Sequence, residues 1–236
     1  MTSIEAIINR QLLKWELERR QAEEEAKVKR QLLPVVTVAR QTGSRASYFA
    51  SRLAQKLGYQ RMHREIIDAI CKSSGYRKRI IESLDSRFRS ELAVMVEAAF
   101  TGQSVDHADY VQHLYRVILS VSRLGGVVVM GRGSNFILGP DRGVHIRVVC
   151  PREKRIENLI KYKNLTRPQA IEAIEESDRT RQEFVAKVFH RDMNDPHAYD
   201  VVFNSSFIDV EEMVEAAMRV IDAKMDKLAH LDNDRP

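Results

Sequence analysis

Val35-Val36-Thr37-Val38-Ala39 runs directly into Arg40-Gln41-Thr42-Gly43-Ser44-Arg45-Ala46, and a helical pattern follows from about Ser47 to Leu57. The opening five residues are mostly β-branched and almost unbroken in apolarity, which is how a strand buried on both faces of a parallel sheet reads. The middle segment holds a glycine, two hydroxyl residues and two arginines, so it is a turn. In the helical segment Phe49, Leu53 and Leu57 fall on one face, and Gly58 stops the pattern. A strand that turns into a helix in this way is half of a β-α-β unit.

The same alternation continues through the chain. Further strands are expected at Tyr59 to Met62, Val127 to Met130, Val144 to Val149 and Asp200 to Asn204. Helices are expected at Arg64 to Cys71, Arg77 to Phe100, Asp106 to Leu124, Pro151 to Lys161, Thr166 towards Phe189, and Val210 to Leu228. Pro151 suits a first helical turn, and Thr166 with Gln169 makes a capping box with Pro168 inside its start. Strands alternating with helices predict an α/β fold: a doubly wound five-stranded parallel sheet flanked by helices. In front of it, residues 3–32 predict a long helix. Thr2 and Glu5 stand at capping-box spacing, Ile4, Ile8, Leu12 and Trp15 form one stripe, and Pro34 ends the segment. The organisation is thus a charged N-terminal helix over 1–33, the main α/β domain over 34–228, and a frayed tail over 229–236.

Composition narrows the function classes. Hydrophobic residues make up 44% of the 236, enough for a sizeable core. No apolar run approaches the length needed to span a bilayer, and the N-terminus carries no signal-peptide core. Two cysteines, Cys71 and Cys150, argue against a disulfide framework or a cysteine metal site, and the chain is expected in the cytoplasm. His63, His190 and His197 make no metal-ligand pattern. The net charge of +5 suits anionic ligands. No dense basic run interleaved with aromatics is present, which argues against nucleic acid as the partner.

Three segments are candidates for anion chemistry. The turn after the first strand presents helix N-terminal amides, with Gly43 and Ser44 allowing a close approach, Ser47 in the first turn, and Arg40 and Arg45 adding charge. It lacks the second glycine and the lysine of the full G-x-x-x-x-G-K-[ST] loop. The second segment, Val129-Met130-Gly131-Arg132-Gly133, puts Arg132 just past a strand's C-terminal end, the edge at which open α/β sheets bind ligands. The third is Asp178-Arg179-Thr180-Arg181, where Asp178 and Arg181 share a helical face that could swing over a bound nucleotide. Arg155, one turn beyond the strand ending near Cys150, is a further phosphate candidate.

Taken in order, these pieces resemble the cytidylate kinase-like family, relatives of the P-loop nucleoside monophosphate kinases. The resemblance covers most of residues 35–222. It rests on Val36 to Ser44, Leu53 to Gly58 leading to Glu65-Ile66-Ile67, Val129 to Gly133 with Ile137-Leu138, Pro151 to Ile156, Asp178 with Arg181, and Tyr199 to Ser206. It implies a P-loop kinase-like fold whose phosphate loop falls on Arg40 to Ser47. Arg132 would hold the acceptor's phosphate, and Arg155, Asp178 and Arg181 would belong to the lid side. The implied reaction is ATP γ-phosphoryl transfer to CMP or dCMP, with Mg2+ arriving with the nucleotide. The chain departs from the family pattern at Arg45-Ala46, where relatives have Gly-Gly, at Gln41 in place of glutamate, and at His63 in place of aspartate. Two other readings stay open: a nucleotide sensor of impaired catalysis that signals through the N-terminal helix, and a scaffold in which that helix is the interaction surface and pairs two copies.

Overall fold

A computed structural model describes residues 3–24, 34–84, 86–100 and 108–233. The five strands are β1 Val36–Arg40, β2 Gln60–Met62, β3 Val127–Met130, β4 Val144–Val149 and β5 Val201–Asn204. They form one parallel sheet in the order β2-β3-β1-β4-β5. β1 lies between β3 and β4, with Val38 opposite Met130 on one side and Ile146 on the other. Packing divides the chain into two compact units, one of Met1–Val35 with Met62–Val127 and one of Val36–Arg61 with Val128–Pro236.

The first unit is helical: α1 Ile4–Glu24, and then, after the helix of the other unit that spans Ala46–Leu57 (α2), α3 Arg64–Lys72, α4 Ser74–Glu82, α5 Ser86–Phe100 and α6 Ala108–Leu124. The Ile8, Leu12 and Trp15 stripe of α1 is buried, and the Trp15 indole N–H donates to the Gly125 carbonyl at 3.2 Å. Two sequence expectations change here. The cap of α1 is Ser3, whose hydroxyl accepts from the Ala6 amide at 3.1 Å; Thr2 lies outside the described residues. The single helix expected from Arg77 to Phe100 is two, because the chain leaves the helix at Ser83, whose hydroxyl turns back to donate to the Arg79 carbonyl at 2.9 Å. At the start of α3, His63 meets Glu65 at 2.6 Å. The part of the expected N-terminal helix over 25–33 lies outside the described residues.

The second unit carries the sheet core. Alternate residues Val36, Val38, Ile146 and Val148 pack with Phe49, Ala50 and Leu53 of α2 and with Met213, Val214 and Ala217 of the C-terminal helix. Between β3 and β4 a short helix, α7 Ser134–Leu138, follows the Gly131-Arg132-Gly133 turn. After β4 come α8 Arg152–Lys163 and α9 Arg167–Phe189, and after β5 comes α10 Val210–Asn233, which continues past the Leu228 end that the sequence suggests. The capping arrangement at α9 forms as expected, with the Gln169 side chain accepting from the Thr166 amide at 2.9 Å. Residues 234–236 lie outside the described residues.

On the opposite face of the sheet the alternate positions Thr37, His145 and Arg147 are polar yet buried. The His145 ring donates from Nε2 to the Gly139 carbonyl at 2.7 Å and accepts at Nδ1 from the Thr37 hydroxyl at 2.8 Å. Burial holds this imidazole below its ordinary pKa. Arg147 donates to Tyr199 and Asn194 at 3.2 and 2.7 Å, tying the segment after α9 to β4.

Candidate functional site

The turn between β1 and α2 is held through its carbonyls. The Arg155 Nε donates to the Thr42 oxygen at 2.6 Å, the Asn158 amide to the Gly43 oxygen at 2.8 Å, and the Ser205 hydroxyl to the Ser44 oxygen at 2.8 Å. Gln41 latches the turn to the end of β4, with its amide donating to Val148 at 3.1 Å and its side-chain oxygen accepting from Cys150 N–H at 2.9 Å. Gly43 has φ +84°, and a Cβ on it would stand 2.6 Å from the Arg155 carbonyl oxygen. Glycine is therefore required both for conformation and for the close approach of α8. With the carbonyls occupied, the amide groups of Gly43, Arg45, Ala46 and Ser47 have no hydrogen-bond partner among the described residues. They lie at the positive end of α2, where unpartnered amides favour an anion such as a phosphate oxygen.

Arg45 takes the left-handed conformation, φ 59°, as N-cap of α2. Its guanidinium carbon sits 5.6 Å from the Tyr48 ring centre and 5.3 Å from that of Tyr162. Ala46 is buried, and Ser47 is exposed on the first turn.

α9 brings the remaining candidates to this turn. Ser177 meets the Thr42 hydroxyl at 2.7 Å. Asp178 accepts two hydrogen bonds from the Arg155 guanidinium, both 2.8 Å. Arg181 donates to the Arg40 carbonyl at 3.2 Å. Arg132, φ 57°, places its guanidinium carbon 5.5 Å from the Phe184 ring centre, and Phe189 stacks on Phe136 at 5.6 Å. The space beside the turn is so close that a Cβ on Gly133 would clash with the Phe189 ring. Arg40 reaches the same place, since a Cβ on Gly131 would stand 3.9 Å from its Nη1. Gly43, Arg132 and Arg181 thus gather at one rim, over the C-terminal ends of β1, β3 and β4.

Each candidate has a distinct position there. Arg40 and Arg181 meet at the rim through the Arg40 carbonyl, and Arg132 lies over Phe184, one turn further along the same face of α9. Arg155, only 5% exposed at its side chain, lies behind the loop, with its donors occupied by Thr42 and Asp178. Asp178 accordingly acts on Arg155. Ser44 is buried, its hydroxyl donating back to the Gln41 oxygen at 2.8 Å. Sequence reasoning did not select Gln41, Asn158, Ser177, Phe184, Phe189 or Ser205 as site residues. A signal for part of this set exists: Ser177, Asp178, Arg181 and Phe184 recur at helical spacing and mark one face of α9.

Among the described residues no group of three or more His, Cys, Asp or Glu is disposed to hold a metal ion. No helix among the described residues is long and apolar enough to cross a membrane.

A family model, described as the cytidylate kinase-like family, matches residues 35–207. The chain belongs to the cytidylate kinase-like family. Within the wider set of relatives, a cytidylate kinase of Ignicoccus hospitalis is 22% identical over 189 residues, spanning 80% of this chain and 99% of that protein. A uronate isomerase of Corynebacterium glutamicum is 31% identical over 101 residues, but the chain spans only 19% of its length. Two solved structures share the fold of this cytidylate kinase-like chain. An uncharacterised protein from Eubacterium ventriosum has a TM-score of 0.63 at 15% identity, covering 80% of this chain and 98% of the other. A gluconokinase from Sinorhizobium meliloti has a TM-score of 0.50 at 15% identity, covering 86% and 99%. The matched residues 35–207 contain the loop, Arg132, α8 and α9, that is, the whole rim.

Proposed function

We propose that this cytidylate kinase-like chain transfers the γ-phosphoryl group of ATP to a pyrimidine nucleoside monophosphate, CMP or dCMP. The observation that carries this reading is the meeting of Gly43, Arg132 and Arg181 at one sheet edge. The amides at residues 43–47 hold the donor's polyphosphate. Arg132 holds the acceptor's phosphate, whose oxygen attacks the γ-phosphorus as the bond to the ADP oxygen breaks. Arg181, delivered by α9, neutralises charge on the transferring group, and Arg40 adds to the same field. Arg155 and Asp178 keep the loop and α9 in register, so that donor and acceptor meet in line. The Ser47 hydroxyl would be the protein's oxygen for a Mg2+ arriving with the nucleotide's phosphates, which would supply charge neutralisation.

The test is ADP formation from ATP and Mg2+ with each nucleoside monophosphate in turn. Arg132→Ala and Arg181→Ala are each expected to slow transfer about tenfold or more; full activity in both variants excludes these roles. The family pattern's Gly-Gly is Arg45-Ala46 here, and that favours a second reading, a nucleotide-binding sensor without turnover. Calorimetry that detects nucleotide binding with no ADP formed selects the sensor. No binding of any nucleotide rejects both readings.

A further inference from the structure

Three features of the loop point the same way. It has no lysine in the position from which phosphate loops grip the outer phosphates; Ala46 and Ser47 follow Arg45 instead. Arg155, a cation packed against the loop, is buried and bound to Thr42 and Asp178. The Arg45 guanidinium has neither a carboxylate partner nor a hydrogen bond among the described residues. Its guanidinium rests between two rings that are about half exposed, Tyr48 at 49% and Tyr162 at 51%. Lys161 lies on Tyr162 as well, with Nζ 5.2 Å from the ring centre. Cation–π contacts at such exposed sites hold a guanidinium weakly. Charge-assisted hydrogen bonds to phosphate hold it far more strongly.

We propose that Arg45 is the loop's phosphate-gripping side chain, kept between Tyr48 and Tyr162 until a polyphosphate binds the neighbouring amides and draws it in. The inference rests on the nucleotide-binding reading and adds to it the residue that replaces the missing lysine. It also gives a physical reason for a left-handed, non-glycine residue at φ 59° in the centre of the loop. Such strain persists at positions where a side chain is needed.

The experiment measures binding of inorganic tripolyphosphate, which has no base, and of ATP by calorimetry. Arg45→Gly suits the backbone conformation and removes only the side chain, and a urea midpoint at or above that of the unmodified protein establishes that it folds. It is expected to weaken both ligands about tenfold or more. The double variant Tyr48→Ala/Tyr162→Ala frees Arg45 and is expected to tighten tripolyphosphate roughly two- to fivefold. Unchanged or tighter binding by Arg45→Gly makes the side chain a bystander or an obstruction and overturns the proposal. Weaker ATP binding with unaltered tripolyphosphate binding in the tyrosine variant means that the rings stack the base, and overturns it too. Failure of the unmodified protein to bind either ligand refutes the nucleotide reading itself, a result distinct from insensitivity to Arg45→Gly.

Discussion

Placing alanine at Gly43 and, separately, at Gly58 separates the role of the loop's conformation from the role of its packing. Both glycines have left-handed backbones, φ +84° and +69°. Each substitution therefore carries a conformational penalty of roughly 1–2 kcal/mol. At Gly58 nothing lies within 4 Å of the added Cβ, so this penalty is the whole effect. At Gly43 the Cβ meets the Arg155 carbonyl oxygen at 2.6 Å and Arg155 Cβ at 2.9 Å. The obstacle is backbone, which cannot rotate away, so α8 or the loop must shift at a further cost of about 1–3 kcal/mol. With a urea m-value of about 2 kcal/mol/M, an additional 2 kcal/mol separates the two midpoints by about 1 M. The same shift disturbs the bonds from Arg155 and Asn158 to the loop carbonyls, so nucleotide affinity falls in Gly43→Ala and stays unaltered in Gly58→Ala. Urea denaturation and ATP calorimetry on both variants check this. Equal losses of stability with normal ATP binding by Gly43→Ala refute the idea that close packing of α8 shapes the loop.

Further outcomes are expected elsewhere. Arg132→Gly keeps the left-handed turn and removes the guanidinium, so transfer to a nucleoside monophosphate should fall about tenfold or more with the urea midpoint unchanged or raised. A double-mutant cycle of Arg155→Met with Asp178→Asn should show coupling of about 1–2 kcal/mol, the upper range for charged hydrogen bonds being reduced because Asp178 is 40% exposed; no coupling means that the pair does not brace α9. Burial lowers the folded pKa of His145, so the unfolded chain binds more protons at acid pH. Its contribution is accordingly intact above about pH 6.5 and is lost as pH falls through that value towards the folded pKa. Urea midpoints of the protein and of His145→Gln should converge on acidification, and a gap that is constant from pH 7.5 to about 5.5 contradicts the buried neutral assignment.

Much of the rim could be read from local patterns. The apolar run at residues 35–39, Gly43 in the following turn, and Arg132 between two glycines are each signalled by the residues next to them. The β1 and β3 assignments hold because buried parallel strands are nearly continuous apolar runs. The break at Ser83 is invisible to periodicity because hydrophobic spacing continues across it, while a hydroxyl competing for a backbone carbonyl leaves no trace there. Asn158 and Ser205 are polar residues in unremarkable surroundings. Their bonds to the Gly43 and Ser44 carbonyls join positions 115 and 161 residues apart, which no local pattern encodes.

The sequence by itself determined the order of strands and helices, and with it the edge at which the basic turns must emerge, because both follow from short-range periodicity and backbone preference. Tertiary structure alone decided what each charge does there. Arg155 and Arg45 look alike as basic residues near a turn. One is buried with a bidentate carboxylate partner, and the other rests between two half-exposed rings. The difference comes from α8 and α9 folding onto the loop, since the partner and the solvent exposure of a charge are fixed by residues remote in the chain.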